Sequence, residues 1–271
     1  MKIALLISGT PRTFFFDEQI NFFKKLKQKL CSENNSVDVY IFLKLQDVGK
    51  YNFFISKVSI SKIIEHYDNL NPVYFEIINN FGNEYKNKEL DRYKRNYYSI
   101  MKPIDILLKK TENIQKYDWF IRIRPDFYLD LSKMKFNFNK KNTNNIYTVE
   151  KNNNGGNDQY FIFSRLLYNI WWKKYLSNNI KNIPKNPEYY IFNFINKNNI
   201  IKEKITYGIV RNYNSIQSWN NNNNRYELVL KDYWLNNNIN FKSIDYLTFE
   251  KELNKTIKKT NKNIIYTYLY D

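Results

Sequence analysis

A chain of 271 residues can bury a sizeable core and is short enough to be one α/β domain. Its 18% aromatic content excludes a disordered chain, and its single cysteine and single histidine exclude an internal disulfide, a cysteine metal cluster and a multi-histidine zinc site. The 43 basic residues against 26 acidic ones give a net charge of +17, a field that favours phosphate-bearing ligands, although AT-rich codon usage also supplies lysine without functional pressure.

Met1 to Ile7 carries one lysine and a short apolar run, too short for a signal-peptide core, and no stretch approaches the length of a membrane span. With the lone Cys31, this predicts a soluble, cytoplasmic protein (for a virus, in the host cytoplasm). Ile3 to Ile7 reads as a strand buried on both faces, Phe14 to Leu30 as an amphipathic helix and Val37 to Leu43 as a second strand. This β-loop-α-β opening begins a doubly wound sheet. Ile55 to Tyr67, which contains His66 as a structural residue, reads as a helix and Val73 to Ile77 as a strand. Leu90 to Lys110 has helical periodicity, kinked at Pro103. Asp118 to Tyr128 is the clearest strand, followed by strands at Ile146 to Val149 and Gln159 to Phe163. Ser164 to Tyr175 and Glu188 to Lys197 read as helices, Ile205 to Val210 as a strand, Asn220 to Asn224 as a loop and Arg225 to Leu235 as a helix. A lysine-rich tail from Lys251 ends in the apolar, aromatic segment Ile264 to Tyr270, suited to packing against a second copy. No internal repeat or linker divides the chain.

Three segments have chemistry to offer. Ser8-Gly9-Thr10-Pro11-Arg12 follows the first strand and leads into a helix, where backbone N–H groups face an anion and Arg12 can grip a base or phosphate. It has too few glycines for a Walker loop or a dinucleotide fingerprint, and a plain tight turn is the competing reading. In the strand around Arg122-Ile123-Arg124-Pro125-Asp126, alternation sets Arg122, Arg124 and Asp126 opposite Ile121 and Ile123. Two arginines are costly to bury there unless paired or facing a ligand. Pro125 should end the strand, leaving Asp126 at its tip to hold a divalent cation or to pair with arginine. Gly155-Gly156-Asn157-Asp158 is a tight turn before a strand; Asp158 is a candidate base for an acceptor hydroxyl, or a local cap. Glu188, behind Pro187, is the reserve base, with a helix first-turn role as its alternative.

The segments ALLISGTPRTF, RNYYSIMKPIDILLKK, YDWFIRIRPDFYL and GGNDQYFIFS occur here in that order. Together they resemble the GT-A-type nucleotide-sugar-dependent glycosyltransferases of polysaccharide-building bacteria and large DNA viruses, through an S-G-x-P-R start, an R-x-R-x-D strand and an N-D-Q segment. The resemblance covers roughly the first two thirds of the chain. It implies a single GT-A-like α/β domain over residues 1–271 with a mostly parallel central mixed sheet flanked by helices. Residues 1–130 would be the nucleotide-binding half, 131–250 the acceptor half and 251–271 a basic, aromatic C-terminal segment. It implies a nucleoside-diphosphate sugar donor, a glycan or other hydroxyl acceptor, and often Mn²⁺ or Mg²⁺. Ser8, Gly9, Thr10, Arg12, Arg95, Ser99, Arg122 and Arg124 would then form the nucleotide pocket and Asp126 would be the metal ligand. The chain departs from the family's D-x-D motif, because Arg124 replaces the first acid and no later histidine ligand exists.

The expected function is therefore a glycosyltransferase, a hexosyl- or related transferase of glycan biosynthesis. The alternative from another class, a basic nucleic-acid-binding protein, requires clustered cations with exposed aromatics. Lysine is spread almost evenly here, so no nucleic-acid partner is expected. A catalytically inactive nucleotide-sugar-binding domain is the third reading.

Overall fold

The computed structural model describes residues 1–9, 17–32, 34–45, 64–79, 104, 106–107, 114–149, 159–170, 195–203, 205, 207–212, 215–219, 225–228 and 264–268. Strand β1, Lys2–Gly9, is apolar on both sides, and every residue from Ile3 to Gly9 is buried. Such a strand is stable only with packed layers on both faces, and the sheet around it supplies them. Helix α1, Asp17–Cys31, turns Ile20, Phe22, Phe23, Leu26 and Leu30 inward at helical spacing. They meet Ile3, Leu5 and Ile7 of β1 on one face, together with Ile64 and Tyr67 of a helical segment at residues 64–68. Ala4 and Leu6 face the other layer, where Ile104, Leu107, Ile114, Leu167 and Tyr168 gather.

The remaining strands are β2 (Ser36–Leu45), β3 (Tyr74–Asn79), β4 (Trp119–Ile123), β5 (Phe127–Leu129), β6 (Ile146–Val149), β7 (Tyr160–Ser164), β8 (Ile200–Glu203), β9 (Tyr207–Asn212), β10 (Ser215–Trp219), β11 (Arg225–Leu228) and β12 (Ile264–Tyr268). Eight of them form one sheet in the order β12-β3-β2-β1-β4-β7-β6-β8. Only β7 runs against the others, since it is antiparallel to both β4 and β6 while the remaining pairs are parallel. The expected α/β class, with a mostly parallel central mixed sheet and helices on both faces, is thus the observed architecture. A smaller antiparallel sheet, β11-β10-β9-β5, sets the consecutive strands β9 to β11 beside β5, which is joined to the large sheet through the short β4–β5 turn.

Several boundaries differ from expectation. The strand expected over 118–128 divides into β4 and β5, because Pro125 interrupts the ladder and Phe127 N–H donates to Arg124 C=O (3.2 Å), closing a turn with proline at its second position. Residues 225–228 are a strand rather than the start of a helix, since antiparallel pairing with β10 supplies partners that a helical reading of RYEL overlooks. Ser164 ends β7 and caps the helical residues 165–170, its Oγ accepting from Leu167 N–H (3.0 Å). The helix expected to end at Lys197 gives way to a single 3₁₀ turn, Lys197–Asn199, at its described end. The apolar C-terminal segment contributes β12, parallel to β3, so its backbone is used within the chain's own sheet. Expectations for residues 10–16, 46–63, 80–103, 151–158, 171–194 and 229–263 lie outside the described residues. Among the described residues, no helix is long and apolar enough to cross a membrane.

Candidate active site at the strand-order switch

The chain builds outward from β1 through β2 to β3, then returns to the opposite side of β1 with β4. In open α/β sheets, the loops at the carboxyl ends of two such strands diverge to opposite faces and leave a crevice, the usual place for a ligand. Here that switch point lies between the end of β1, at Ser8-Gly9, and the end of β4 with its turn to Asp126.

Register fixes which side chains meet there. Leu6 is paired with Arg122 and Ile7 with Ile123, so Ser8 and Arg122 share a face two residues apart along it. Arg122 is buried, donating from Nε to Ser8 Oγ and from Nη2 to Ser8 C=O, both at 3.1 Å. Its guanidinium also lies over the Phe161 ring, 5.9 Å from the centroid. The cost of burying this cation is offset by these contacts, which tie β4 to the end of β1. Arg122 thus holds Ser8 at the end of β1.

Gly9 has φ +140°, a conformation open to glycine. A Cβ at this position would come within 3.1 Å of Pro125 Cδ and 3.7 Å of Arg124 Cγ. The β1 loop and the 124–126 turn are thus in close contact, and glycine is the residue that permits it. On the other side, Arg124 N–H donates to Gln159 C=O (2.9 Å), while Tyr160 pairs with Ile123. The start of β7 therefore borders the same crevice.

Asp126 is fully buried and Arg124 holds it with both oxygens: Nε to Oδ1 at 2.8 Å and Nη2 to Oδ2 at 2.6 Å. This fork is the strong, planar form of the arginine–carboxylate pair. Of the two roles weighed for Asp126, the structure shows the arginine pairing. Among the described residues, no group of three or more His, Cys, Asp or Glu is arranged to hold a metal ion. Among the described residues, a carboxylate with both oxygens already spanned by a guanidinium does not by itself supply the six or more oxygen ligands that a hard cation needs.

Of the residues singled out from sequence, Ser8, Gly9, Arg122, Arg124 and Asp126 converge here. Thr10, Arg12, Arg95, Ser99, Asp158 and Glu188 lie outside the described residues, although Gln159, directly after Asp158, is at the crevice edge. Sequence reasoning overlooked Tyr67. Its hydroxyl is buried with no hydrogen-bond partner among the described residues, and burial first, then the Asp126 charge, pushes its pKa well up. A tyrosine at a helical core position carries no local signal of such a neighbour.

No family model and no curated protein sequence matches the chain. Solved structures with low overall similarity to the chain include glycosyltransferases. One, involved in glycosylation of the major capsid of PBCV-1, shares 12% identity over 75% of this chain and 81% of its own, with a TM-score of 0.35. The catalytic domain of Drosophila β1,4-galactosyltransferase 7 in complex with xylobiose shares 9% over 97% and 82%, with a TM-score of 0.37. A variant of that enzyme was solved with manganese, UDP-Gal and xylobiose; it too shares 9% over 97% and 82%, at a TM-score of 0.36.

Proposed function

We propose that the chain is a GT-A-type glycosyltransferase, one domain over residues 1–271, that transfers a sugar from a nucleoside diphosphate to a hydroxyl acceptor. The observation that carries this reading is the convergence of Ser8-Gly9 with the Arg122 to Asp126 segment at the strand-order switch between β1 and β4. It supports an anionic ligand through its place in the sheet, with Arg12 supplying the positive charge in this reading. The motif resemblance supplies the reaction class.

In this reading Gly9, Thr10 and Arg12 embrace the nucleotide, with Arg95 and Ser99 completing the pocket, while Arg122 fixes Ser8 from beneath. Arg124, whose side chain is 20% exposed, borders the diphosphate as half of a neutral pair with buried Asp126. The bond from the sugar's anomeric carbon to the diphosphate oxygen breaks, and the acceptor oxygen bonds to that carbon. Arginine charge stabilises the departing diphosphate. Asp158 takes the acceptor's hydroxyl proton, and Glu188 is the reserve for that role.

Two substitutions separate these roles. Arg12→Ala should weaken nucleoside-diphosphate binding by roughly 1.5–3 kcal/mol, the value of a lost charged hydrogen bond. Asp158→Asn should leave donor affinity nearly unchanged and lower turnover about 10²–10⁴-fold. Calorimetry showing unchanged affinity for Arg12→Ala removes the loop from the site. Normal turnover by Asp158→Asn transfers the test to Glu188.

A further inference from the structure

Beneath the switch point, one buried polar group has no task in the fold as it stands. Tyr67 belongs to the helical segment at residues 64–68 and is 1% exposed, and its hydroxyl has no hydrogen-bond partner among the described residues. A buried donor left in that state is costly, and phenylalanine would fill the same core without it.

The surroundings of Tyr67 give the hydroxyl a use. The Phe23 ring lies 6.4 Å from that of Tyr67, the Phe22 ring 5.4 Å from that of Tyr128, and the two phenylalanines of α1 are 5.3 Å apart. Tyr67 therefore shares the layer under α1 with β5, which Asp126 immediately precedes. It lies in the field of the Asp126 carboxylate and, being buried, keeps its proton. Tyr67 is thus a donor close to a carboxylate whose two oxygens are both spanned by Arg124, at 2.8 and 2.6 Å.

The two halves of that fork differ in access. Asp126 is wholly buried, whereas the Arg124 side chain is 20% exposed, so an arriving anion meets the guanidinium first. A neutral pair offers a diphosphate little while both donors stay on Asp126. Turning one donor outward leaves a buried carboxylate oxygen short of a hydrogen bond, which is costly unless another donor replaces it. Tyr67 carries such a donor.

We infer that Tyr67 is a positioning residue of the donor site: when a diphosphate binds, one N–H of the Arg124 fork passes to a phosphate oxygen, and the Tyr67 hydroxyl takes its place on Asp126. The second Arg124 bond keeps the carboxylate paired throughout. Asp126 accepts as many hydrogen bonds as before, the phosphate gains a charged donor and the tyrosine gains an acceptor. The inference rests on reading the β1–β4 switch as a diphosphate site, and it deepens that reading by showing how charge is delivered from a neutral pair.

The test is calorimetric titration of the full chain with UDP, GDP and inorganic pyrophosphate, together with melting temperatures of the unliganded proteins. Tyr67→Phe should leave the melting temperature unchanged or higher, because no hydrogen bond is lost. It should nevertheless weaken diphosphate binding about tenfold or more, the equivalent of a lost hydrogen bond to a charged group. Tyr160→Phe is the matched control. Its hydroxyl is likewise buried without a partner among the described residues, but the charge acting on it is that of Glu203, so diphosphate binding should not change. Equal affinity in wild type and Tyr67→Phe, or equal weakening in both variants, would overturn the inference. So would a clear fall in the melting temperature of unliganded Tyr67→Phe, since the hydroxyl would then be bonded before any ligand arrives. A wild-type chain that binds none of the three probes refutes the diphosphate reading itself, and this inference with it; binding by wild type that Tyr67→Phe leaves intact refutes the inference alone.

Discussion

Replacing Arg124 by methionine removes a fork that spans both oxygens of a carboxylate with 0% exposure. Stranding a buried charge in this way typically costs about 3–5 kcal/mol. Arg124 is 20% exposed, so water reaches the emptied position and Asp126 is partly resolvated, which puts the loss near the lower bound, about 3 kcal/mol. For a chain of this size, that lowers Tm by roughly 6–12 °C. Replacing both partners, Arg124→Met with Asp126→Leu, removes the charge along with its partner and should recover most of the loss, because a buried pair gains little over well-packed apolar groups. Scanning calorimetry on wild type, both single variants and the double variant closes the cycle, with an expected coupling of about 2–3 kcal/mol. Additive losses, with coupling under about 0.5 kcal/mol, would show that the pair does not hold the β4–β5 corner.

Further outcomes follow from the same geometry. Gly9→Ala should cost about 1–3 kcal/mol, from positive φ and from the Cβ forced to 3.1 Å from Pro125; a neutral result in urea unfolding would mean the β1 loop yields freely. Mn²⁺ alone should give no stoichiometric heat in calorimetry, because Arg124 already spans Asp126; tight binding without nucleotide, lost in Asp126→Asn, would contradict that. Tyr67 and Tyr160 have pKa values pushed well up by burial, so the fold holds their protons more tightly than the unfolded chain does. Their contribution to stability is whole below the ordinary tyrosine value and is lost as pH rises past it toward the folded-state values. Absorbance at alkaline pH should therefore show these phenols ionising only with unfolding, and early ionisation in the folded protein would refute it.

Much of the large sheet was legible because β1, β2, β4 and β7 are runs of apolar residues that only a doubly covered strand explains. The convergence of Ser8-Gly9 with Arg122 to Asp126 was legible as well, since both segments lie at the carboxyl ends of strands of that kind. The partition within the crevice was not. Alternation put Arg122 and Arg124 on one side, yet Pro125 turns the chain after Ile123, so Arg122 grips Ser8 while Arg124 folds onto Asp126. Such pairings depend on where the neighbouring strand ends, which no local pattern states. Strands β8, β10 and β11, with sequences IIKE, SIQSW and RYEL, are short and polar, and their ladder partners define them more than their own periodicity. The grouping of Lys2, Asp38, Tyr74 and Tyr117 at the other end of the sheet was hidden for a similar reason, being made by strand order alone.

The most direct measurement is turnover of a panel of nucleoside-diphosphate sugars, with and without Mn²⁺, against a mixture of hydroxyl acceptors, monitoring release of the free nucleoside diphosphate. The account predicts acceptor-dependent release from at least one donor, abolished or strongly reduced in Arg12→Ala and Asp158→Asn. No donor bound or cleaved by the wild-type chain, or turnover indifferent to both substitutions, would contradict a sugar-transfer site at the β1–β4 switch.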